Sequence, residues 1–581
     1  MENNELLQQV TNKAQAWLDG KYDDATKAEV KRMMDADDKT ELIEAFYKDL
    51  EFGTGGLRGI MGVGTNRMNI YTVGAATQGL ANYLKKEFAN EPKISVVIGH
   101  DCRNHSREFA EISANIFSAN GIQVYLFDAL RPTPEISFAI RELKAQSGII
   151  LTASHNPKEY NGYKAYWNDG AQLVPPHDEN VIVEVNKIKG AEDIKFEGDK
   201  SLIKIIGKDI DDRMIEEIKK LSLSPESVKR NSDMKIVYTP IHGTGIKLIP
   251  RALKEYGFKN IINVPEQDVI SGDFPTVVSP NPEEPAAMAL AVKKAEEVGA
   301  DMVMASDPDA DREGIAVRDD SGKFILLTGN QTGSMLTYYL AHRWKELGKL
   351  KGNEYMVKTI VTTETFKRIA DHYGIEIYDV YTGFKWIAAV MRENEGKKTY
   401  IGGGEESYGY LPEVFVRDKD AVSSLALIAE MAAWAKDNGM SVYDLLKKVY
   451  AEFGYSKEKG VSLVKKGKAG ADEIKQMMAD YRSNTPKEIA GSPVVLYKDY
   501  ASLVQRENGK ETKITGMPTT SDVIQLFTED GTKISIRPSG TEPKIKYYIE
   551  VRSDMKSVAD YDKATAAAEA KIDAVRKSLG I

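Results

Sequence analysis

Gly148-Ile149-Ile150-Leu151-Thr152-Ala153-Ser154-His155-Asn156-Pro157 joins an apolar run of strand length to a polar loop with a serine at its centre. The same grammar repeats along the chain. Residues 94–99 and 123–127 are strand-length apolar runs with a helical stretch at 107–119 between them. Residues 235–239, 301–305, 356–361 and 399–402 continue the pattern. Strands alternating with helices indicate α/β units built on mostly parallel sheets. The expected fold class is therefore α/β, with three similar domains of mixed, mostly parallel sheets. Residues 522–528, 533–537 and 545–551 read instead as antiparallel strands before a final Ala- and Lys-rich helix, a smaller α+β C-terminal domain.

The N-terminus differs from all of this. Leu6, Leu7, Val10, Ala14, Trp17 and Leu18 recur at helical spacing, as do Leu42, Ile43, Phe46, Tyr47 and Leu50. The expected layout is a helical extension over 1–50, α/β domains over 51–205, 206–328 and 329–455, and the α+β domain over 456–581. Residues 455–470, rich in Lys and Gly, read as the lead into that last domain, with Lys465-Lys466-Gly467-Lys468 a solvated linker. In open α/β sheets ligands bind beyond the carboxyl ends of strands. Ser154, Asp307 and Glu405 each follow such a strand, which predicts a central cleft lined by one loop from each α/β domain and closed by the fourth domain.

Composition narrows the function classes. At 581 residues the chain is too long for one core, and about one domain per ~150 residues suggests about three to five. An apolar content of 42% with 28% charged residues is that of a soluble globular protein. A net charge of −9 argues against a nucleic-acid partner, which normally requires a basic face. Cys102 is the single cysteine, so an intrachain disulfide and a thiolate zinc site are both excluded. No stretch approaches the ~20 apolar residues of a membrane span, and the polar, acidic start lacks a signal pattern. A cytoplasmic location with small-molecule partners is expected; the oligomeric state is not legible.

Three loops carry the chemistry. A serine after a strand often serves only as a turn or cap residue, and no G-x-S-x-G surrounds Ser154. His155 is adjacent to it in sequence, a poor position for a general base. Far downstream, Asp307-Pro308-Asp309-Ala310-Asp311-Arg312 places three carboxylates at alternating positions. Such a loop can turn all three toward one hard cation, and Mg²⁺ favours oxygen ligands shared with phosphate and water. The calcium EF-hand alternative wants Gly at 312 and Glu at 318, and both are Arg. Near the C-terminus, Arg537-Pro538-Ser539-Gly540-Thr541-Glu542-Pro543 offers a fork-shaped donor, two hydroxyls and a Gly-relieved backbone, a plausible phosphate nest. Serine oxygen, hard-metal site and anion cradle are together the parts for moving a phosphoryl group. Walker A and kinase signatures are absent, so a nucleotide donor lacks its usual cradle. Gly53-Thr54-Gly55-Gly56-Leu57-Arg58-Gly59 fails as a dinucleotide fingerprint because Arg58 stands where a Gly is needed.

These loops, in this order and over nearly the whole chain, resemble the signature set of the α-D-phosphohexomutases, the phosphoglucomutase and phosphomannomutase superfamily. The resemblance implies that Ser154 carries a phosphoryl group and lends an oxygen to Mg²⁺ held by Asp307, Asp309 and Asp311. It implies that Lys164, ten residues after the serine, is the acid/base, with Arg58 and Arg312 as catalytic cations. Asp101 and Arg103 would orient the serine loop, and His242 is read as a structural loop histidine. The sugar phosphate would be read by Thr382, Gly383, Lys385, Glu405, Ser407 and Lys419, and its idle phosphate by Arg537, Ser539, Gly540 and Thr541, with Lys546 assisting. Phosphomannomutase-type members carry Gly-Glu-Met-Ser-Gly-His, whereas here Glu406 and Gly409 take the third and sixth places. Glucose 1-phosphate/glucose 6-phosphate interconversion is therefore the expected activity, with glucose 1,6-bisphosphate as intermediate and activator. Pentose phosphates are the main rival, on the N-terminal helices and length, and mannose phosphate comes third. A non-catalytic sugar-phosphate sensor would predict loss of Ser154 or of an aspartate, and none is missing.

Overall fold

The apolar runs become strands because their β-branched and aromatic side chains fit a pleated surface covered by helices. The structure, a computed structural model, describes residues 2–53, 55–465, 467–539 and 544–581. It divides into two compact units, the first formed by Met1–Leu327, Met391–Glu393 and Gly409–Trp434, the second by the rest.

The first unit holds two mixed sheets. One runs in the order Gly56–Ile60, Tyr160–Trp167, Ser147–Leu151, Ser95–His100, Gln123–Phe127, Ile203–Ile206. Its last four strands are parallel, and the first two are added antiparallel. The second sheet runs Phe324–Leu326, Glu313–Arg318, Met302–Ser306, Lys235–Thr239, Asn260–Asn263, again with a parallel centre and an antiparallel flank. The strands 56–60 and 160–167 are not among those the sequence predicts. Arg58 and Lys164 thus project from strands, not from loops. Three helices, Glu2–Asp19, Asp24–Asp35 and Thr40–Phe46, precede the first sheet. Val10, Ala14, Trp17, Val30, Met33 and Phe46 form a small core that is completed by Tyr71 and Ala191 of the adjoining α/β layer.

In the second unit, Glu376–Val380, Glu354–Thr359 and Thr399–Glu405 form a parallel sheet, and an antiparallel sheet follows. Here the sequence reading needs correction. Residues 455–464 are not a lead-in but a ten-residue edge strand, paired antiparallel along its whole length with Lys544–Ser553. Beyond it Gly467–Ser483 is helix, so the expected solvated linker at 465–468 is also displaced. Among the described residues no helix is long and apolar enough to cross a membrane.

Candidate active site

The serine loop is built by polar contacts that the strand ends cannot supply. Ser154 takes a left-handed φ of 52°, a region that non-glycine residues seldom enter. Thr152 holds it there, its Oγ1 accepting the Ser154 N–H at 2.9 Å. Arg103, 3% exposed, donates to the carbonyls of Ser154 at 2.7 Å and of Pro157 and Tyr160 at 2.9 Å each, and also to that of Asn156. Asp101 in turn accepts from Thr152 Oγ1 at 2.6 Å and lies 3.4 Å from Arg103 Nε.

The aspartate loop mirrors this arrangement. Ala310 also has a φ of 52°, which turns Asp309 and Asp311 to the same side as Asp307. Three successive carbonyls are pinned by three different segments. Pro308 O accepts from Thr244 N–H at 2.8 Å, Asp309 O from Thr133 N–H at 2.8 Å, and Ala310 O from Ala421 N–H at 3.2 Å. Gly243 is required beneath: a Cβ there would stand 2.4 Å from Pro308 Cα.

The two loops meet within the first unit. Ser154 Oγ donates to Asp307 Oδ2 at 2.7 Å, with Ser154 3% exposed and Asp307 0%. Lys164 Nζ donates to Asp309 Oδ2 at 2.7 Å and Asp311 Oδ2 at 2.9 Å, and Lys419 Nζ lies 3.2 Å from the same Asp311 oxygen. Lys419, assigned by sequence to the sugar, is therefore placed at the carboxylate cluster, beside an Asp418 that accepts from Tyr166 and Gln172. Arg312 donates to Glu283 at 3.1 Å, and the exposed Arg58 donates to Asn156 at 3.1 Å.

The electrostatics follow. Burial, reinforced by Asp309 and Asp311, pushes the Asp307 carboxyl well above its ordinary range. Burial works in the same sense on Asp311, yet Lys164, Lys419 and Arg312 outweigh it and hold Asp311 low. Asp309 is also held low, burial and Asp311 being outweighed by Lys164. Burial would lower Lys164, but Asp309 and Asp311 raise it and keep it an ammonium. His155 is pushed down to about 3 by burial, Arg312 and Arg58, so at neutral pH it is an uncharged ring 3.3 Å from Ser154 Oγ.

The donor set fits a hard divalent cation. The three carboxylates bring one oxygen each within 4.8 Å of one another. Asp309 Oδ1 and Asp311 Oδ1 are buried and have no hydrogen-bond partner among the described residues. Buried acceptors left open in this way are what a cation with oxygen preference completes.

Other assigned residues lie in the second unit. Glu405 ends its strand, and its Oε1 accepts the Gly383 N–H at 2.8 Å, so the loops holding Thr382-Gly383 and Glu405-Glu406-Ser407 meet. Lys385 Nζ sits over the Trp386 ring at 4.8 Å. Arg537 stands on strand Lys533–Pro538 opposite Lys546, and Ser539 N–H donates to Lys544 O at 2.7 Å. Tyr548 is raised to about 12 by burial and by Glu406, while Arg537 acts the other way, which places that phenol near both. Gly540 and Thr541 lie outside the described residues. His242 Nδ1 donates to Val269 O at 2.7 Å and its Nε2 accepts from Thr276 Oγ1 at 2.8 Å, which ties its loop to the segment that follows the strand Asn260–Asn263.

Comparison with known proteins agrees with this architecture. Residues 49–192, 212–322 and 328–453 match phosphoglucomutase/phosphomannomutase alpha/beta/alpha domains I, II and III, and 470–568 match the C-terminal domain. A phosphoglucomutase of Staphylococcus haemolyticus is 37% identical over 88% of this chain and 92% of its own. One of Staphylococcus aureus MRSA252 is 37% identical over 90% and 93%. Among solved structures, Paramecium parafusin (a phosphoglucomutase, open form) has a TM-score of 0.65 at 19% identity, covering 91% of this chain and 96% of its own. A phosphoglucomutase/phosphomannomutase family protein of Burkholderia thailandensis gives 0.63 at 19%, with the same coverage. With four family domains in order and relatives alike over most of both lengths, this chain belongs to the phosphoglucomutase/phosphomannomutase family of phosphosugar-mutase enzymes.

Proposed function

We propose that this enzyme interconverts α-D-glucose 1-phosphate and glucose 6-phosphate, with Ser154 as the phosphoryl carrier. The observation that carries the reading is the buried hydrogen bond from Ser154 to Asp307, beside two carboxylate oxygens left open for a cation. The relatives named phosphoglucomutase support glucose as the sugar.

In this reading phosphorylated Ser154 gives its group to the free hydroxyl of a bound sugar monophosphate. The Ser154 Oγ–P bond breaks, a sugar O–P bond forms, the Lys164 ammonium gives a proton to the departing Ser154 Oγ, and the amine so formed takes up the proton of the sugar hydroxyl. The glucose 1,6-bisphosphate so made presents its other phosphate, and Ser154 takes that one back, releasing the isomer. Asp307, Asp309 and Asp311, with an oxygen on Ser154, would hold Mg²⁺, which supplies positive charge to the transferring phosphoryl. That charge would also compete with Lys164 for the two aspartates it now neutralises. Arg58 and Arg312 add guanidinium charge, and the near-complete burial of Ser154 limits attack by water. Arg537, Ser539, Gly540 and Thr541 would hold the idle phosphate, Thr382, Gly383, Lys385, Glu405 and Ser407 the sugar, and Lys419 would serve the substrate from beside Asp311.

The test is turnover of glucose 1-phosphate with Mg²⁺ and trace glucose 1,6-bisphosphate, glucose 6-phosphate being followed through its dehydrogenase, with ribose 1-phosphate in parallel. Fast glucose turnover supports the reading, and a preference for ribose moves the enzyme to the pentose phosphates. S154A should lose at least about 1,000-fold in turnover and take no label from ³²P-labelled bisphosphate; near-wild-type activity would remove Ser154 from the mechanism.

A further inference from the structure

We propose that Thr133 is a positioning residue for the cation site: its hydroxyl sets the Asp309 carboxylate so that one oxygen is left open to the metal. The inference rests on the reading of the aspartate triad as that site.

Thr133 opens the helix Thr133–Glu142, which packs on the first sheet, while Asp309 belongs to a loop of the second. They are 176 residues apart in sequence, yet Thr133 Oγ1 donates to Asp309 Oδ2 at 2.6 Å and Thr133 N–H to Asp309 O at 2.8 Å. The residue is fully buried. A threonine at a helix start commonly caps it, accepting an N–H from the first turn. Here the cap position is Pro132 and no side chain caps the helix. The hydroxyl is spent on the aspartate instead.

That choice has a geometric effect. Asp309 Oδ2 receives both Thr133 and Lys164, and Oδ1 receives nothing among the described residues. A carboxylate gripped at one oxygen and through its own carbonyl has lost rotation about its side-chain bonds, so the other oxygen points one way. Of the three segments that pin carbonyls of this loop, two also reach a carboxylate of the triad: the one carrying Thr133 donates its hydroxyl to Asp309, and Lys419, two residues before Ala421, lies 3.2 Å from Asp311. The position of Thr133 is itself fixed nearby: Arg131 is ion-paired to Asp211 at 2.7 Å and to Asp128 at 3.1 Å. The serine-bearing layer thereby sets a ligand of the site opposite to it. Lys164 cannot substitute, because it also serves Asp311 and would face the charge of a bound cation.

The experiment is Mg²⁺ titration of the full-length enzyme by calorimetry, comparing wild type, T133V and T133S. Valine keeps the shape and removes the hydroxyl; serine keeps the hydroxyl. Loss of a group that orients a metal ligand typically costs about 10–100-fold in affinity. T133V should therefore bind Mg²⁺ about 10–100-fold more weakly and T133S within about 3-fold of wild type. In EDTA T133S should melt with wild type, and T133V lower because it loses a buried hydrogen bond to a charged group. Wild-type affinity in T133V would overturn the proposal alone. Failure of wild type to bind Mg²⁺ would overturn the triad reading and the proposal with it. Should T133V not fold, T133S decides: retained affinity supports the hydroxyl's role, and a tenfold loss there would overturn it.

Discussion

Ser154 and Ala310 share a left-handed backbone, and each is the residue around which its loop turns. Such a conformation costs roughly 1–3 kcal/mol and persists only where the surroundings over-determine it. Arg103 is the main determinant on the serine side, since it collects four carbonyls of the loop. Replacing it with Met should destabilise the protein by about 3–5 kcal/mol, because Asp101 is left buried without its cation. Turnover should fall by roughly 100-fold or more as the serine leaves its geometry. Denaturant unfolding and the coupled assay check both halves; a folded R103M with full turnover would show that the loop holds itself. At this scale the sequence was informative where chemistry is dense. Ser154 and the three aspartates stand in short, distinctive runs, whereas Thr133 lies in Arg131-Pro132-Thr133-Pro134, a run with no chemical signature. Nothing local announces a partner on another sheet. The contact of Lys419, assigned to the substrate, with Asp311 is likewise announced by nothing local.

The strand 455–464 escaped the sequence reading for a physical reason. An edge strand presents one open side, tolerates Lys and Gly, and loses the apolar alternation that marks a buried strand. Its pairing also produces a charge conflict: Glu458 stands directly across from Glu550, which is flanked on its other side by Lys533. Like charges in register oppose each other. Burial, with Glu550, raises Glu458 from 4.5 to about 7. A raised carboxyl stabilises the fold on the acid side, where the folded state keeps a proton that the unfolded chain releases. That contribution is complete below 4.5 and disappears as pH rises through about 7. E458Q, neutral throughout, should be more stable than wild type above pH 7 and lose the advantage toward pH 4.5. Denaturant midpoints across that range test it, and an unchanged pH profile would contradict the pairing. The inner parallel strands, such as 95–100, 147–151 and 235–239, were legible within a residue or two, because a strand covered on both faces must be apolar at every position. The parallel edge strands Ile203–Ile206, Asn260–Asn263 and Glu376–Val380, less fully buried, were not.

For the molecule as a whole, the order of α/β units and the antiparallel finish followed from strand spacing, while the added antiparallel strands and the grouping of distant segments did not. Within the first unit, Ser154–Asp307 and Thr133–Asp309 fasten one sheet's loops to the other's at the point where a cation fits. Cation binding should therefore stabilise the folded protein. At 100 times its Kd a ligand adds about 2.7 kcal/mol, so the melting temperature should climb with Mg²⁺ and fall back with EDTA, together with turnover. A melting temperature indifferent to Mg²⁺ would argue against the triad as its site.

Residues 409–434 pack with the first unit, where Ala421 pins the Ala310 carbonyl and Lys419 faces Asp311, although about 80 residues of the second unit precede them in the chain. A ribosome issues the chain in sequence order, and domains generally fold as they emerge. The aspartate loop is thus translated well before its last support exists. During synthesis it must wait, three carboxylates crowded and part of their counter-charge missing, until that later stretch clears the exit tunnel. Slow translation across the intervening segment would lengthen that wait.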